Sequence, residues 1–166
     1  MVDGGILDED DRIELIDGEL IAMSPKSDEH EFVVGLLQDL LTETYGRVGH
    51  VRVQGPMVAD DMTMPEPDLL VARGSRRASP RHPRPPQVIL VVEVANSSFE
   101  RDREKAAVYA RSGVPEYWIV DVVARCVEVL RVPVGDAYTV CRVMKAPDAL
   151  GCPEVDASIA IADFLG

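Results

Sequence analysis

The chain lacks any apolar run approaching the roughly 18–20 residues that span a bilayer. Its opening Met1-Val2-Asp3-Gly4-Gly5 has neither the basic flank nor the apolar centre of a secretory signal. We therefore expect a soluble, cytoplasmic protein with no membrane partner. Cysteine is scarce: Cys126, Cys141 and Cys152 are odd in number and widely spaced. That excludes a disulfide framework or a zinc site, and buried free thiols are expected. Positive charge is also in short supply, with 17 Lys and Arg against 29 Asp and Glu and a net charge of −12. A balance so acidic argues against generic nucleic-acid binding, because neutralising phosphates supplies most non-specific affinity. There is no internal repeat and no interdomain linker. With 166 residues, 46% of them hydrophobic, residues 1–166 are expected to form one domain around one core.

The distribution of charge says more than its sum. Between Leu69 and Val92 there is no Asp or Glu, and the stretch holds Arg73, Arg76, Arg77, Arg81, Arg84 and His82. Taken alone it reads as a solvated loop whose arginines pair with the surplus acids. Its position between two unusual acids makes the other reading, a segment that faces nucleic acid, worth carrying forward.

Those acids are Asp68, in Pro65-Glu66-Pro67-Asp68-Leu69-Leu70-Val71, and Glu93, in Val88-Ile89-Leu90-Val91-Val92-Glu93-Val94. Each lies in or beside a β-branched apolar run that reads as a buried strand. Desolvating an unpaired charge is expensive, so two such acids at the ends of consecutive strands suggest a shared partner. A hard divalent cation, Mg²⁺ or Mn²⁺, suits paired carboxylates. Strand alternation places Asp68, Leu70 and Ala72 on one face, and Ile89, Val91 and Glu93 on one face.

The remaining pattern is mixed α/β. Asp17-Gly18 between Ile13–Ile16 and Glu19–Met23 predicts a hairpin closed by Ser24-Pro25. A helix is expected from about Asp28 to Tyr45, with Ser27 as N-cap and Gly46 as a left-handed C-cap residue. Strands are expected at Val48–Val53, Leu69–Ala72, Val88–Val94, Glu116–Asp121, Arg125–Val132 and Tyr138–Val143. Arg73–Gln87 reads as a connection stiffened by Pro80, Pro83, Pro85 and Pro86. Asn96-Ser97-Ser98 should cap a helix from about Phe99 to Ser112, ended by Gly113, and Ile159–Leu165 a short terminal helix. On the Phe99 helix, Asp102, Lys105 and Tyr109 share a face. Because this helix starts just beyond Glu93, Lys105 can reach back to the acids, orient or activate an attacking water and offset phosphate charge. The alternative for Lys105 is a surface ion pair with Asp102. Tyr109 either steadies the Lys105 ammonium or is a core aromatic with its hydroxyl at the surface. Tyr117 and Trp118 alternate on their strand as packing or subunit-contact residues. Ser97, Ser98 and His30 do not form a serine-hydrolase arrangement, since no nucleophile-elbow glycine pattern surrounds them.

These blocks resemble the Uma-two-type putative restriction endonucleases, a bacterial family within the PD-(D/E)XK nuclease superfamily. The resemblance rests on Glu14-Leu15-Ile16-Asp17-Gly18-Glu19, Ser24-Pro25 with His30, Glu66-Pro67-Asp68-Leu69 and Arg81-His82-Pro83. It continues through Val91-Val92-Glu93-Val94, Ser97-Ser98, Asp102, Lys105, Tyr109, Gly113-Val114-Pro115-Glu116-Tyr117-Trp118-Ile119-Val120-Asp121 and Val127-Glu128-Val129. It implies a restriction-endonuclease-like α/β core, a mixed central β-sheet flanked by helices, here with an N-terminal β-hairpin. It implies Asp68 and Glu93 as ligands of Mg²⁺ or Mn²⁺, DNA as substrate and a homodimer. The superfamily lysine usually follows the acid by two residues. That position is Ala95 here, so the resemblance moves the lysine's role to Lys105. Glu14 is either a further acidic ligand or an edge-strand residue. His30 contacts phosphate, positions a carboxylate, or caps and packs its helix. The expected function is a metal-dependent DNA endonuclease. Its alternatives are a catalytically weak or inactive nuclease-fold module that binds or assembles, and a metal hydrolase acting on something other than nucleic acid.

Overall fold

The computed structural model describes residues 13–23, 25–79 and 81–166. Ser24 and Pro80, expected to close the hairpin and stiffen the connection, and the N-terminal segment read for a signal lie outside them. The hairpin pairs β1 (Ile13–Ile16) with β2 (Glu19–Ala22) as a separate two-stranded sheet. Asp17 and Gly18 take φ of 52° and 83°, the backbone that a tight two-residue turn demands. Leu15 O accepts from Met64 N at 2.6 Å, and Met62 O from Gly18 N at 2.8 Å, so the hairpin is tied to the loop that precedes Asp68.

The central sheet contains β3 (Gly49–Val53), β4 (Leu69–Arg73), β5 (Val88–Ala95), β6 (Glu116–Asp121), β7 (Cys126–Val134) and β8 (Ala137–Met144), in that spatial order. Only β5 and β6 run parallel. Their crossover is α2 (Phe99–Arg111). α1 (Asp28–Tyr45) covers one face through Val33, Val34, Leu37 and Leu41, which pack with Leu69, Val71, Leu90 and Val92. On the opposite face Tyr109 packs with Leu70, Val91, Tyr117 and Ile119. β5 is buried along its whole length, as its unbroken apolar run requires in a sheet covered on both sides. Tyr117 and Trp118 are fully buried and serve packing. No helix among the described residues is long and apolar enough to cross a membrane.

Several expectations need correction. Opposite Val71 and Ala72, β5 supplies Leu90 and Val88 as partners, which leaves Ile89 as the extra residue of an irregularity. Ile89 therefore packs in the α1-side cluster while Val91 packs in the α2-side cluster, and the expected Ile89–Val91–Glu93 face starts only at Val91. Gly46 is right-handed (φ −55°, ψ −15°), and its N–H donates to Thr42 O, so the helical bonding runs on through it. Gly113, at φ 80°, is where a left-handed terminator does occur. Ile159 belongs to β10 (Ser158–Ala160), paired with β9 (Ala149–Gly151), and the terminal helix α3 is confined to Ala162–Leu165. Cys126 and Cys152 are buried free thiols, but Cys141 is exposed because it lies on β8, an outer strand that is largely solvent-facing.

Candidate active site

Register alone brings the two acids together. Leu69 pairs with Val92 in antiparallel β4–β5, so Asp68, one step before β4, falls opposite Glu93. The pair is interlocked through the backbone. Asp68 N donates to Glu93 Oε2 at 3.2 Å, and Val94 N donates to Asp68 Oδ2 at 3.0 Å. Both side chains are buried.

α2 then supplies the cation. Lys105 Nζ donates to Glu93 Oε1 at 3.0 Å and to Glu14 Oε1 at 2.8 Å. Tyr109, one turn further on, donates its hydroxyl to the same Glu93 Oε1 at 3.0 Å and is fully buried. Its hydroxyl is thus not at the surface, and its partner is the carboxylate beside Lys105 rather than the ammonium. Glu14 comes from β1 and also accepts from Glu66 N at 2.8 Å. It is buried in the site rather than displayed on an edge. The Lys105 ammonium does not form the surface pair with Asp102. The Asp102 carboxylate instead accepts from Ser98 Oγ at 2.6 Å. Ser98, placed at the helix start as expected, spends its hydroxyl on that carboxylate and makes no side-chain cap to the backbone.

α1 contributes from the other side. Ser27 Oγ accepts from His30 N at 3.2 Å and from Asn96 Nδ2 at 2.7 Å, which joins the N-terminus of α1 to the loop after β5. His30 Nε2 lies 2.9 Å from Asp68 Oδ2. Lys26, just before the cap, places Nζ 3.3 Å from Asp68 Oδ1. All the residues whose side chains take part in these contacts, except Tyr109, line a cleft of about 90 Å³.

Burial pushes the Glu93 carboxyl well above the usual carboxylate range; the Lys105 charge opposes this and the Asp68 charge adds to it. Burial would raise Asp68 too, but the hydrogen bond and charge of His30, the Val94 N–H and the Lys26 charge outweigh it and hold Asp68 below its usual value. Burial lifts Asp102 to about 6 against its Ser98 hydrogen bond and the Lys105 charge. Burial disfavours the Lys105 ammonium, yet Glu93 and Glu14 more than compensate and raise its pKa. Lys105 therefore stays protonated. It can orient a water and stabilise negative charge, but it is a poor proton acceptor.

Among the described residues no group of three or more His, Cys, Asp or Glu side chains is arranged to hold a metal ion. A two-carboxylate site is compatible with that. Mg²⁺ commonly takes one or two carboxylates and completes its shell with water and substrate phosphate. Four carboxylates (Glu14, Asp68, Glu93, Asp102) line the cleft with the ammonium groups of Lys26 and Lys105. Asp68 and Glu93, side by side at the adjoining strand ends, are the oxygen donors that would hold such a cation.

The arginine segment is placed elsewhere. β4 leads away from Asp68, and Arg73 at its far end is roughly 17 Å distant at about 3.3–3.4 Å per residue. None of Arg73, Arg76, Arg77, Arg81 or Arg84 lines the cleft. Arg73 binds Glu154 Oε2 at 3.0 Å and the carbonyls of Pro86 and Val88 at 2.7 and 3.0 Å. Arg76 bonds the Val51 carbonyl. All five residues are exposed. Lys26 was not singled out in the sequence because a lone lysine before a helix is ordinarily a surface residue. Arg101, also on the cleft wall and bonded to Ala22 O at 2.9 Å, was missed for the same reason.

A mixed sheet with acids at the adjoining ends of β4 and β5, and a lysine returned by the crossover helix, defines a restriction-endonuclease-like α/β protein. The chain belongs to the Uma2 family, described as "Putative restriction endonuclease", which it matches over residues 6–162. A solved structure from Anabaena variabilis ATCC 29413, described as "a putative nuclease belonging to DUF820", superposes with a TM-score of 0.78. The match covers 92% of this chain and 89% of that one at 16% identity, a likeness that shows the fold. No curated protein matches. Family membership supports a nuclease, a hydrolase acting on nucleic acid.

Proposed function

We propose that the protein is a metal-dependent DNA endonuclease, with Asp68 and Glu93 holding Mg²⁺ or Mn²⁺ and Lys105 serving the attacking water. The observation that carries this reading is the convergence of the three side chains on one cleft, with Lys105 Nζ 3.0 Å from Glu93 Oε1. A divalent cation at such a site supplies Lewis-acid stabilisation of phosphate charge and a more acidic bound water. The chain's own residues do the rest. Held as an ammonium by Glu93 and Glu14, Lys105 directs a water and stabilises the charge that builds on the phosphate oxygens. Glu14 and Tyr109 hold the Lys105–Glu93 pair in place. His30 and the Val94 N–H hold Asp68 Oδ2, which leaves Oδ1 facing Lys26.

Nicking of supercoiled plasmid in Mg²⁺ or Mn²⁺ tests the proposal. The parent should nick, and Asp68→Ala should lose about two to four orders of magnitude in rate. Equal rates in the two proteins, or no cleavage by the parent, would remove the reading. One observation favours a binding or assembly module instead. Every carboxylate oxygen of Asp68 and Glu93 already faces a donor or cation of the protein, so the cluster is balanced as it stands. A parent that binds DNA but never cuts it would favour that module.

A further inference from the structure

The Lys26 ammonium is incompletely satisfied in the site. Its side chain is only 9% exposed, and Nζ makes no hydrogen bond although it lies 3.3 Å from Asp68 Oδ1. An ammonium has three donors, and leaving them unpaired away from water costs free energy. The other ammonium of the cleft, Lys105, is held by two hydrogen bonds. Lys26 is instead on an irregular segment between β2 and α1, with a flexible four-carbon stem. Beside it is the N-terminus of the 18-residue helix α1, whose Ser27 and His30 also line the cleft. A helix start favours anions. An ammonium that meets one carboxylate oxygen at 3.3 Å without a formed hydrogen bond, beside a helix start and on a long unbranched stem, matches a phosphate oxygen better than it matches that carboxylate.

Resting on the endonuclease reading above, we infer that Lys26 is a phosphate-binding residue held in reserve on Asp68. Without a divalent cation it neutralises Asp68 Oδ1. When a cation takes Asp68, the two positive charges repel, and Lys26 turns its donors to a non-bridging oxygen of the DNA phosphate. Lys26 and the cation thus compete for Asp68 and cooperate on the substrate.

The two halves give effects of opposite sign, which separates them from structural damage. Mn²⁺ binding to the full chain without DNA is measured by calorimetry, and plasmid hydrolysis at saturating Mn²⁺. Lys26→Met should bind Mn²⁺ about tenfold or more tighter, because a like charge at contact distance is gone. The same variant should hydrolyse DNA about tenfold or more slowly, as for a lost electrostatic group. Lys26→Arg, which keeps the charge, should bind Mn²⁺ near the parental strength. Should Lys26→Met fail to fold, Lys26→Gln carries the same two expectations. Parental or weaker Mn²⁺ binding by the neutral variant overturns the competition, and an unchanged hydrolysis rate overturns the phosphate contact. In both cases the Asp68–Glu93 site survives. A parent that binds no Mn²⁺ removes the metal site and this inference together.

Discussion

Lys105 shows how much one side chain carries here. Its ammonium lies between Glu14 and Glu93, and Glu93 is additionally bonded to Tyr109 and to the Asp68 backbone. Removing one partner of a buried ion pair costs about 3–5 kcal/mol, because the remaining charge is left uncompensated. Lys105→Met keeps the methylene stem and deletes the charge. We expect plasmid hydrolysis to fall by about two to four orders of magnitude. We also expect a lower melting temperature without metal. The pH dependence follows from Glu93, whose folded pKa already lies above its usual value. Without Lys105 it rises further. A carboxyl raised in the folded state binds more protons there than in the unfolded chain, so stability falls as pH rises through the interval between the two pKa values. The deficit of the variant should therefore be smallest in acid and grow as pH rises through the folded pKa of Glu93. Melting curves across that range check the sign. A variant that cuts at the parental rate would remove Lys105 from the chemistry.

At the scale of elements, the site is a junction. β4 and β5 provide the acids, α2 the lysine, the β1–β2 hairpin Glu14, and the start of α1 His30. Periodicity placed α1 at Asp28–Tyr45 and β6 at Glu116–Asp121, since both carry regular apolar spacing and clear ends. It did not place the irregularity at Ile89 or the right-handed Gly46. A bulge and a continued helical hydrogen bond depend on neighbouring backbone, which spacing does not encode. The Arg73–Arg84 connection belongs to this scale too. None of its arginines lines the cleft, and Arg73 lies at the far end of β4 from Asp68. We expect it to touch duplex DNA beyond the scissile position. Replacing Arg77, Arg81 and Arg84 by Gln should weaken duplex binding and flatten its salt dependence. The log–log slope should fall by about 0.9 for each phosphate that is no longer neutralised. Anisotropy titrations over a range of salt would measure this. An unchanged slope would assign these arginines to internal pairing or to a subunit interface, as Arg73 with Glu154 already illustrates.

For the molecule as a whole, net charge and function pull in opposite directions. A chain at −12 repels DNA at long range, so the proposed function requires local clusters, for which Lys26, Lys105 and Arg101 at the cleft and the arginine connection are the candidates. Cutting both strands of a duplex needs two sites, and a two-fold homodimer presents them symmetrically. Light scattering at micromolar concentration should report a dimer. A strict monomer would restrict the protein to nicking.

The amino-acid order by itself determined the α/β class, the hairpin at Asp17-Gly18, both long helices and the candidates Asp68, Glu93 and Lys105. Each is legible because its signal is local: a turn dipeptide, a 3.6-residue period, an acid at the edge of an apolar run. Only the tertiary structure decided that Glu14 meets Lys105, 91 positions away, that Lys26 faces Asp68, and that the arginines of the connection stay off the cleft, with Arg73 at the far end of β4. Those facts follow from strand register and from how the hairpin and α1 dock on the sheet. Such long-range placement is set by packing of the whole core, and no spacing along the chain records it.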